Sequence, residues 1–445
     1  MNYQEFKNCI IARCAQLGVT DYELYYQTAE STSVSAFQRE INQFSSAVEG
    51  GVCFRCIRDG KMGYASTEHL SEKSAARIVK QALENAASLE AEEPVFLGEG
   101  GKTYARLEPA AIRIPETDAL VSKVLSTQDQ LYTAHPAVID GCTTQGVAER
   151  SEIAIFNSRG LDLHDETVLT GLVVAAVVQG EGEMANDYQI ALGDLERIDT
   201  DALTKKAARG AWEKLGGEPA PTGKYPVIFD PEAMSDLLST FSGVFSAEAA
   251  RKGLSRLAGQ EGKTIATPAV TLVDDPAYPG CFLQRSFDAE GSPACRKNII
   301  ESGVLNTLLY DLKNAALAGR ETTGNASKAN YDSPVGIQPF TLYLAAGTVT
   351  EEELLKKAET GVYIHSLGGL HAGANPVSGD FSLQSAGYLI EGGKKTARVK
   401  SFTVAGNFYD LLKNVVCVAN NLEFPGMGTV GSPSVLVAGL SVAGK

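Results

Sequence analysis

The segment 216–224 (GGEPAPTGK) limits the fold of this chain more than any other stretch. It places glycine and proline between two long segments that carry regular hydrophobic patterns. Glycine and proline interrupt helices and strands, so this composition is typical of a linker. The chain has 445 residues, which is also too many for one ordinary hydrophobic core. We therefore predict an N-terminal α+β domain over 1–215, with a subdivision near 110–115 as an open alternative, and a C-terminal domain over 225–445.

Helix and strand patterns are mixed in both halves of the chain. Asp59-Gly60 is a strong two-residue turn signal and predicts a hairpin. Asp230 is a good N-cap residue, and apolar residues follow at helical spacing over 234–245, which predicts a helix that faces a core. Further helices are predicted over 71–89, 116–134, 200–215, 305–318, 354–360 and 408–419. Because strands and helices do not alternate regularly, we predict an α+β fold with mixed and antiparallel sheets flanked by helices, and a strand-rich C-terminal domain.

Charge and hydropathy argue against two classes of partner. The formal net charge is −15 and no cluster of Lys and Arg stands out, so we expect no nucleic acid held by charge. The longest apolar run, 171–178, is far too short to span a bilayer. The first residues have the pattern of a charged amphipathic helix rather than of a secretory signal. We expect a cytoplasmic protein with no membrane partner.

Cysteine and histidine usage gives little indication of a metal or redox site. Eight cysteines are scattered along the chain, and only Cys53 and Cys56 form a C-x-x-C. Their surroundings alternate like a strand, which would place them on opposite faces, so we interpret them as half-buried structural side chains. None of the five histidines is paired at helical spacing, although His365 and His371 lie six residues apart. A metal site assembled from separate elements stays an alternative.

The segment 369–394 (GLHAGANPVSGDFSLQSAGYLIEGGK) is the most unusual part of the sequence. Glycine costs backbone entropy, so its abundance here points to shape or chemistry rather than stability. His371, Ser378 and Asp380 have the residue types of a catalytic triad. They fall within ten residues of one another on a predicted loop and strand start, whereas triad groups usually come from separate elements. A polar loop is the favoured interpretation, and a hydrolytic site around His371 is the alternative.

Several stretches resemble the TldD/PmbA family, whose members are also called modulators of DNA gyrase or peptide-maturation proteins. They follow one another in the family's order with similar spacing and cover most of the chain. They are 50–67 (GGVCFRCIRDGKMGYAST), 287–319 (FDAEGSPACRKNIIESGVLNTLLYDLKNAALAG), 322–327 (TTGNAS), 369–394 and 404–424 (VAGNFYDLLKNVVCVANNLEF).

The resemblance implies one of two kinds of subunit. TldD-like members carry a helical H-E-x-x-x-H and a cysteine near the C-terminus that complete a metal site, and PmbA/TldE-like members lack that motif. The corresponding stretch here has Leu238 and Gly243 at the histidine positions and Ser239 at the glutamate position. Leucine cannot bind zinc, and serine cannot act as a carboxylate base. No cysteine follows Cys417, which we predict to be a core residue of the helix over 408–419.

The resemblance therefore implies a PmbA/TldE-like subunit with no catalytic residues, metal or cofactor of its own. Its expected partners are a TldD-like metalloprotease subunit and a small peptide substrate, and it would form a homodimer when alone. Two alternatives remain open. One is a self-sufficient hydrolase with its site around His371, and the other is a protein-binding regulator of DNA gyrase.

In the family, the region of 369–394 forms a strand-rich wall of a cleft between domains, so the resemblance implies a contact surface there. Glycine lets another backbone approach closely, as in docking of an extended peptide by strand addition. Alternation over 381–390 places Ser382 and Gln384 on one face and Phe381 and Leu383 on the other. The candidates for contact with substrate or with another subunit are His371, Asn375, Ser378, Gly379, Asp380, Ser382 and Gln384. Whether the stretch contacts a peptide or is purely structural stays open.

Overall fold

The computed structural model describes residues 1–90, 93–107, 112–180 and 182–445, and it has the predicted α+β architecture. The described α-helices are α1 (Tyr3–Leu17), α2 (Glu72–Ser88), α3 (Thr117–Thr133), α4 (Thr200–Glu213), α5 (Pro231–Phe241), α6 (Ala247–Arg251), α7 (Leu312–Leu317), α8 (Glu351–Ala358), α9 (Leu370–Gly373) and α10 (Phe408–Lys413). A 3₁₀ turn over Ser242–Phe245 joins α5 to α6. None of the helices described is long and apolar enough to cross a membrane.

Within the described residues, the strands form two large six-stranded sheets, one five-stranded sheet and one small pair. They are β1 (Tyr22–Phe37), β2 (Glu40–Arg58), β3 (Lys61–Thr67), β4 (Thr143–Asn157), β5 (Asp162–Gly180), β6 (Glu183–Leu192), β7 (Gly223–Phe229), β8 (Leu272–Asp274), β9 (Lys297–Glu301), β10 (Val304–Leu305), β11 (Ala326–Ser327), β12 (Gly336–Ile337), β13 (Leu342–Leu344), β14 (Thr360–Gly368), β15 (Asp380–Glu391), β16 (Lys394–Asn407), β17 (Val415–Val418), β18 (Val430–Gly431) and β19 (Val435–Ala443).

The N-terminal sheet is antiparallel throughout, in the order β3-β2-β1-β4-β5-β6. The turn predicted at Asp59-Gly60 is confirmed, since both residues have positive φ and Arg58 pairs with Lys61. Helices α1 and α2 share one apolar cluster with β1–β3, and α3 and α4 share another with β4–β6. The sheet is therefore continuous across the subdivision proposed near 110–115.

The two cysteines of the C-x-x-C lie on opposite faces of β2, as predicted. Cys53 belongs to a cluster with Tyr25, Ile155 and Phe287, whereas Cys56 lies in the cluster beneath α1 and α2. Both side chains are buried rather than half-buried.

The C-terminal half is built around a closed barrel. Strands β16, β15, β14, β7 and β19 pair in that order, and pairing of β16 with β19 closes the ring. The five-stranded sheet runs β10-β9-β8-β13-β18. Helix α5 shares the largest apolar cluster with the barrel: Phe241 stacks on Phe408 at a centroid distance of 4.6 Å and meets Phe381 edge-on at 6.3 Å. The boundary at 216–224 stays a prediction.

Two predicted helices are wrong in extent. The helix over 408–419 ends at Lys413, and β17 follows, because a run of β-branched residues there pairs with β19. The helix over 305–318 begins only at Leu312, where the Asp311 side chain caps it by accepting the N–H of Asn314.

Candidate functional site

Helix α5 begins where the sequence predicts it. The Asp230 carboxylate accepts the N–H of Ala233 at 2.8 Å, and Pro231 occupies the first helical position. The predicted apolar stripe is buried, including Met234, Leu237 and Phe241. Because the apolar stripe packs against the core, the opposite, polar face of α5 is turned away from the core.

The three positions that the resemblance assigns to a metal site carry no suitable ligand. Leu238 is 1% exposed and belongs to the main apolar cluster. Ser239 and Gly243 are exposed, and a Cβ at Gly243 would meet no atom within 4 Å. Across the described residues, no group of three His, Cys, Asp or Glu side chains is placed to hold a metal ion. This set of side chains does not fit a catalytic zinc, which needs nitrogen, sulfur or carboxylate donors.

The outward face of α5 lines a cleft that sequence reasoning missed. Glu232, Ser235, Asp236 and Ser239 follow one another at helical spacing and face this space of about 240 Å³. The opposite wall comes from 188–190 of β6, Lys206 of α4 and the loop 423–430. We call this space the acidic cleft. The signal in the sequence was the polar side of α5, but nothing local showed what covers it.

Two carboxyl groups of the acidic cleft, those of Glu232 and Asp236, are half-buried. Burial raises the pKa of Asp236 to about 6. Burial also raises the pKa of Glu232, and the nearby Asp187 and Asp236 charges add to that shift. The Lys214 and Lys206 charges oppose the shift of Glu232 only in part, so burial outweighs what the protein offers these two carboxylates.

The predicted alternation along β15 is confirmed at its start. Phe381 and Leu383 are buried against the barrel core, whereas Ser382 and Gln384 are exposed. Close packing accounts for the glycine at position 387 of this stretch. A Cβ there would lie 1.8 Å from the carbonyl oxygen of Tyr363, so β14 and β15 can pair closely only with glycine at this position.

The loop before β15 holds Asn375, Ser378 and Gly379 in a turn. The Asn375 side chain accepts the N–H of Ser378 at 3.2 Å. Gly379 has φ +78°, and a Cβ there would lie 2.5 Å from the ring of Tyr409. This turn is therefore fixed against α10 and has a structural reason for its glycine.

His371, Ser378 and Asp380 do not form a triad in this structure. The Ser378 hydroxyl accepts the backbone N–H of Asp380 at 3.3 Å. Asn407 donates to the Asp380 carboxylate at 2.8 Å, and this contact lowers the pKa of Asp380, with Ser378 adding to the effect. His371 lies exposed on α9. For the seven contact candidates of the 369–394 stretch, a role in binding stays a prediction.

Cys417 lies on β17 and not on a helix. Lys357 donates to its Sγ at 3.3 Å, and the side chain is half-buried beside the cluster under α8. The prediction that it sits on the helix over 408–419 is therefore wrong, because that helix ends before it.

Comparison with known protein families identifies the family of this chain. The PmbA/TldA metallopeptidase C-terminal domain matches 222–444, domain 1 matches 22–86, and the central domain matches 112–215. The chain belongs to the TldD/PmbA family. The matched ranges include the N-terminal sheet and the C-terminal barrel, and they include α5, which lacks the metal ligands.

Family relatives match along nearly their whole length. A metalloprotease of Methanothermobacter thermautotrophicus is 27% identical over 91% of this chain and 88% of its own. The metalloprotease PmbA of Escherichia coli O157:H7 is 26% identical over 93% of this chain and 90% of its own. The crystal structure of a candidate modulator of a DNA gyrase from Thermotoga maritima superposes with a TM-score of 0.90 at 30% identity, covering 99% of this chain and 100% of that one.

A second solved TldD/PmbA-type structure supports the fold alone. TldE from Thermococcus kodakarensis superposes with a TM-score of 0.87 at 23% identity, over 98% of this chain and 99% of that one. The barrel and the N-terminal sheet are therefore part of a fold that this chain shares with both solved structures.

Proposed function

We propose that this chain is a non-catalytic, PmbA/TldE-like subunit of a TldD/PmbA-type metalloprotease. The observation that carries the proposal is α5, where Leu238 is packed in the core and Ser239 and Gly243 offer no metal donors. Relatives over nearly the whole chain are named metalloproteases. A member of the family without the ligand set fits the role of a partner to a metal-bearing, TldD-like subunit.

In this proposal the chain helps to enclose a small peptide, which the TldD-like subunit cleaves in a maturation or degradation step. The chain forms a homodimer when alone and a heterodimer with its partner in the cytoplasm. The exposed face of β15, with Ser382 and Gln384, and the turn around Asn375 supply contacts to peptide or partner. No nucleic acid takes part.

The other two functions have less support. The hydrolase alternative needs a working site around His371, and the hydrogen bonds of Ser378 and Asp380 go to other groups. A regulator of DNA gyrase rests on the name given to the Thermotoga maritima protein, and the surface described here offers no feature specific to that role.

Mixing experiments test the proposal. The purified chain and the H-E-x-x-x-H relative from the same organism are assayed separately and together on an unfolded peptide. We expect cleavage only with the mixture, and loss of cleavage when the glutamate of the relative's motif is changed to glutamine. Cleavage by this chain alone that a chelator stops would refute the proposal. A His371→Ala variant that activates the partner as well as wild type would exclude the hydrolase alternative.

A further inference from the structure

The acidic cleft has a buried polar atom with nothing to bind. Ser235 is 5% exposed and lines the cleft. Its hydroxyl oxygen has no hydrogen-bond partner within the described part of the chain. Buried hydroxyl groups are normally satisfied, so this oxygen is free to accept a hydrogen bond from a water molecule or a ligand in the cleft.

Two carboxylates flank that hydroxyl on the same helix. Glu232 and Asp236 are one helical turn apart, which places their Cβ atoms about 5–6 Å from each other. Both side chains line the cleft, and neither carboxylate accepts a hydrogen bond from the described residues. Among the described residues of the lining, Glu423 adds a third carboxylate and Lys206 is the one cation. Beyond this lining, Lys214 is already bound to Asp187 at 2.6 Å.

The cleft therefore favours a cation that can donate several hydrogen bonds. A metal ion fits poorly, because the described residues provide no set of three donors for one. A primary ammonium group carries three N–H donors and one positive charge, which matches two carboxylates and one hydroxyl acceptor. Exposed apolar side chains at the rim, Tyr188 and Met427, can cover the carbon atoms attached to such a group.

We propose that the acidic cleft binds a primary ammonium group of a peptide, with Glu232 and Asp236 as its charge partners and Ser235 as a hydrogen-bond acceptor. The inference rests on the proposed function, since it assigns the non-catalytic subunit a share in holding the peptide. The ammonium group is the peptide's amino terminus or a lysine side chain. The raised pKa values of both carboxyls agree with this role, because a bound cation would offset the cost of burial that the nearby lysines leave uncompensated.

Binding of matched peptides to the chain alone tests the inference. Three versions of one short peptide, labelled at the C-terminus, are compared by fluorescence anisotropy. One has a free amino terminus and no lysine, one is N-acetylated without lysine, and one is N-acetylated with a single lysine. We expect at least one amine-bearing peptide to bind about tenfold more tightly than the acetylated, lysine-free peptide, the effect of one charge-assisted hydrogen bond. Which one does so identifies the source of the ammonium.

Substitutions in the acidic cleft test whether the preference for amine-bearing peptides arises there. Glu232→Gln with Asp236→Asn should abolish the preference for the amine, and Ser235→Ala should reduce it severalfold. The matched control, Glu301→Gln with Glu321→Gln, removes the same charge from exposed positions of the same half and should leave the preference unchanged. If the double cleft variant does not fold, Asp236→Asn alone and Ser235→Ala carry the test.

Three results would overturn the inference. They are equal binding of all three peptides, a preference that survives in the cleft variants, and no binding of any peptide. These outcomes leave the proposed function standing if mixing with the metal-bearing relative still produces cleavage. Failure of that mixing experiment, with the amine preference intact, would refute the catalytic partnership instead.

Discussion

The contact between the two halves of the chain contains a buried glutamate whose charge should make the protein's stability depend on pH. Glu290 is 4% exposed and lies beside Arg55 of β2, with 3.9 Å between Oε1 and Nη1. Its other oxygen accepts the N–H of Leu312 at 2.8 Å. Burial raises the pKa of Glu290 from 4.5 to about 8, and Arg55 and that hydrogen bond offset this rise only in part.

The direction of the effect follows from proton binding. Between about pH 4.5 and pH 8, the folded protein keeps a proton on Glu290 that the unfolded chain has released. Folding then takes up a proton, so the free energy of unfolding falls as pH rises through this window. The slope is at most about 1.4 kcal/mol per pH unit, which gives a loss of about 2.5 kcal/mol from about pH 5.5 to about pH 7.5.

The variant Glu290→Gln removes this titration and keeps the shape of the side chain. Urea unfolding of wild type and variant is measured at several pH values in that window. Wild type should lose about 2.5 kcal/mol more than the variant between the two ends. Other buried carboxyls with raised pKa, such as Asp288 and Asp230, act with the same sign in both proteins and largely cancel in the difference. Glu321→Gln, at an exposed position, should match wild type, and parallel curves for wild type and Glu290→Gln would refute the reasoning.

Two further substitutions test the packing. Arg55→Met removes the guanidinium whose Nε donates to the buried Glu23 carboxylate at 2.7 Å. The free energy of unfolding in urea should fall by about 3–5 kcal/mol, because the carboxylate stays buried without its partner, and a loss below about 1 kcal/mol would contradict this. Gly387→Ala puts a Cβ 1.8 Å from the carbonyl oxygen of Tyr363, which should cost at least about 1–3 kcal/mol by thermal unfolding, whereas Gly243→Ala, with free space around it, should melt like wild type.

Local sequence signals predicted the elements that depend on local chemistry. Asp230, Pro231 and the apolar stripe together define the start and the buried face of α5, and all three act within one helix. Asp59-Gly60 determines its hairpin for the same reason, because two residues with positive φ are enough to reverse the chain. These predictions needed no knowledge of distant residues.

The acidic cleft could not be predicted in this way. Its walls come from 188–190, from α5 and from 423–430, which are far apart in the chain and meet only after the barrel and the N-terminal sheet have packed together. The predicted helix over 408–419 failed for a related reason. Helical pattern favoured continuation after Lys413, but pairing of β17 with β19 decided the outcome. The sequence also directed attention to 369–394, where several glycines have packing reasons.

The two faces of α5 explain how this chain keeps the family's fold although Leu238, Ser239 and Gly243 offer no metal donors. The buried face, with Phe241 stacked on Phe408, holds the helix in the barrel through apolar contacts that involve no metal. Leu238 adds to that core, where its apolar side chain packs without the cost of burying a polar one. The opposite face bears on the cleft and not on the core, so polar residues such as Asp236 can change there at little cost in stability. For the same reason, a histidine at position 238 would lie in the core, and we expect that introducing the three motif residues alone would not create a metal site.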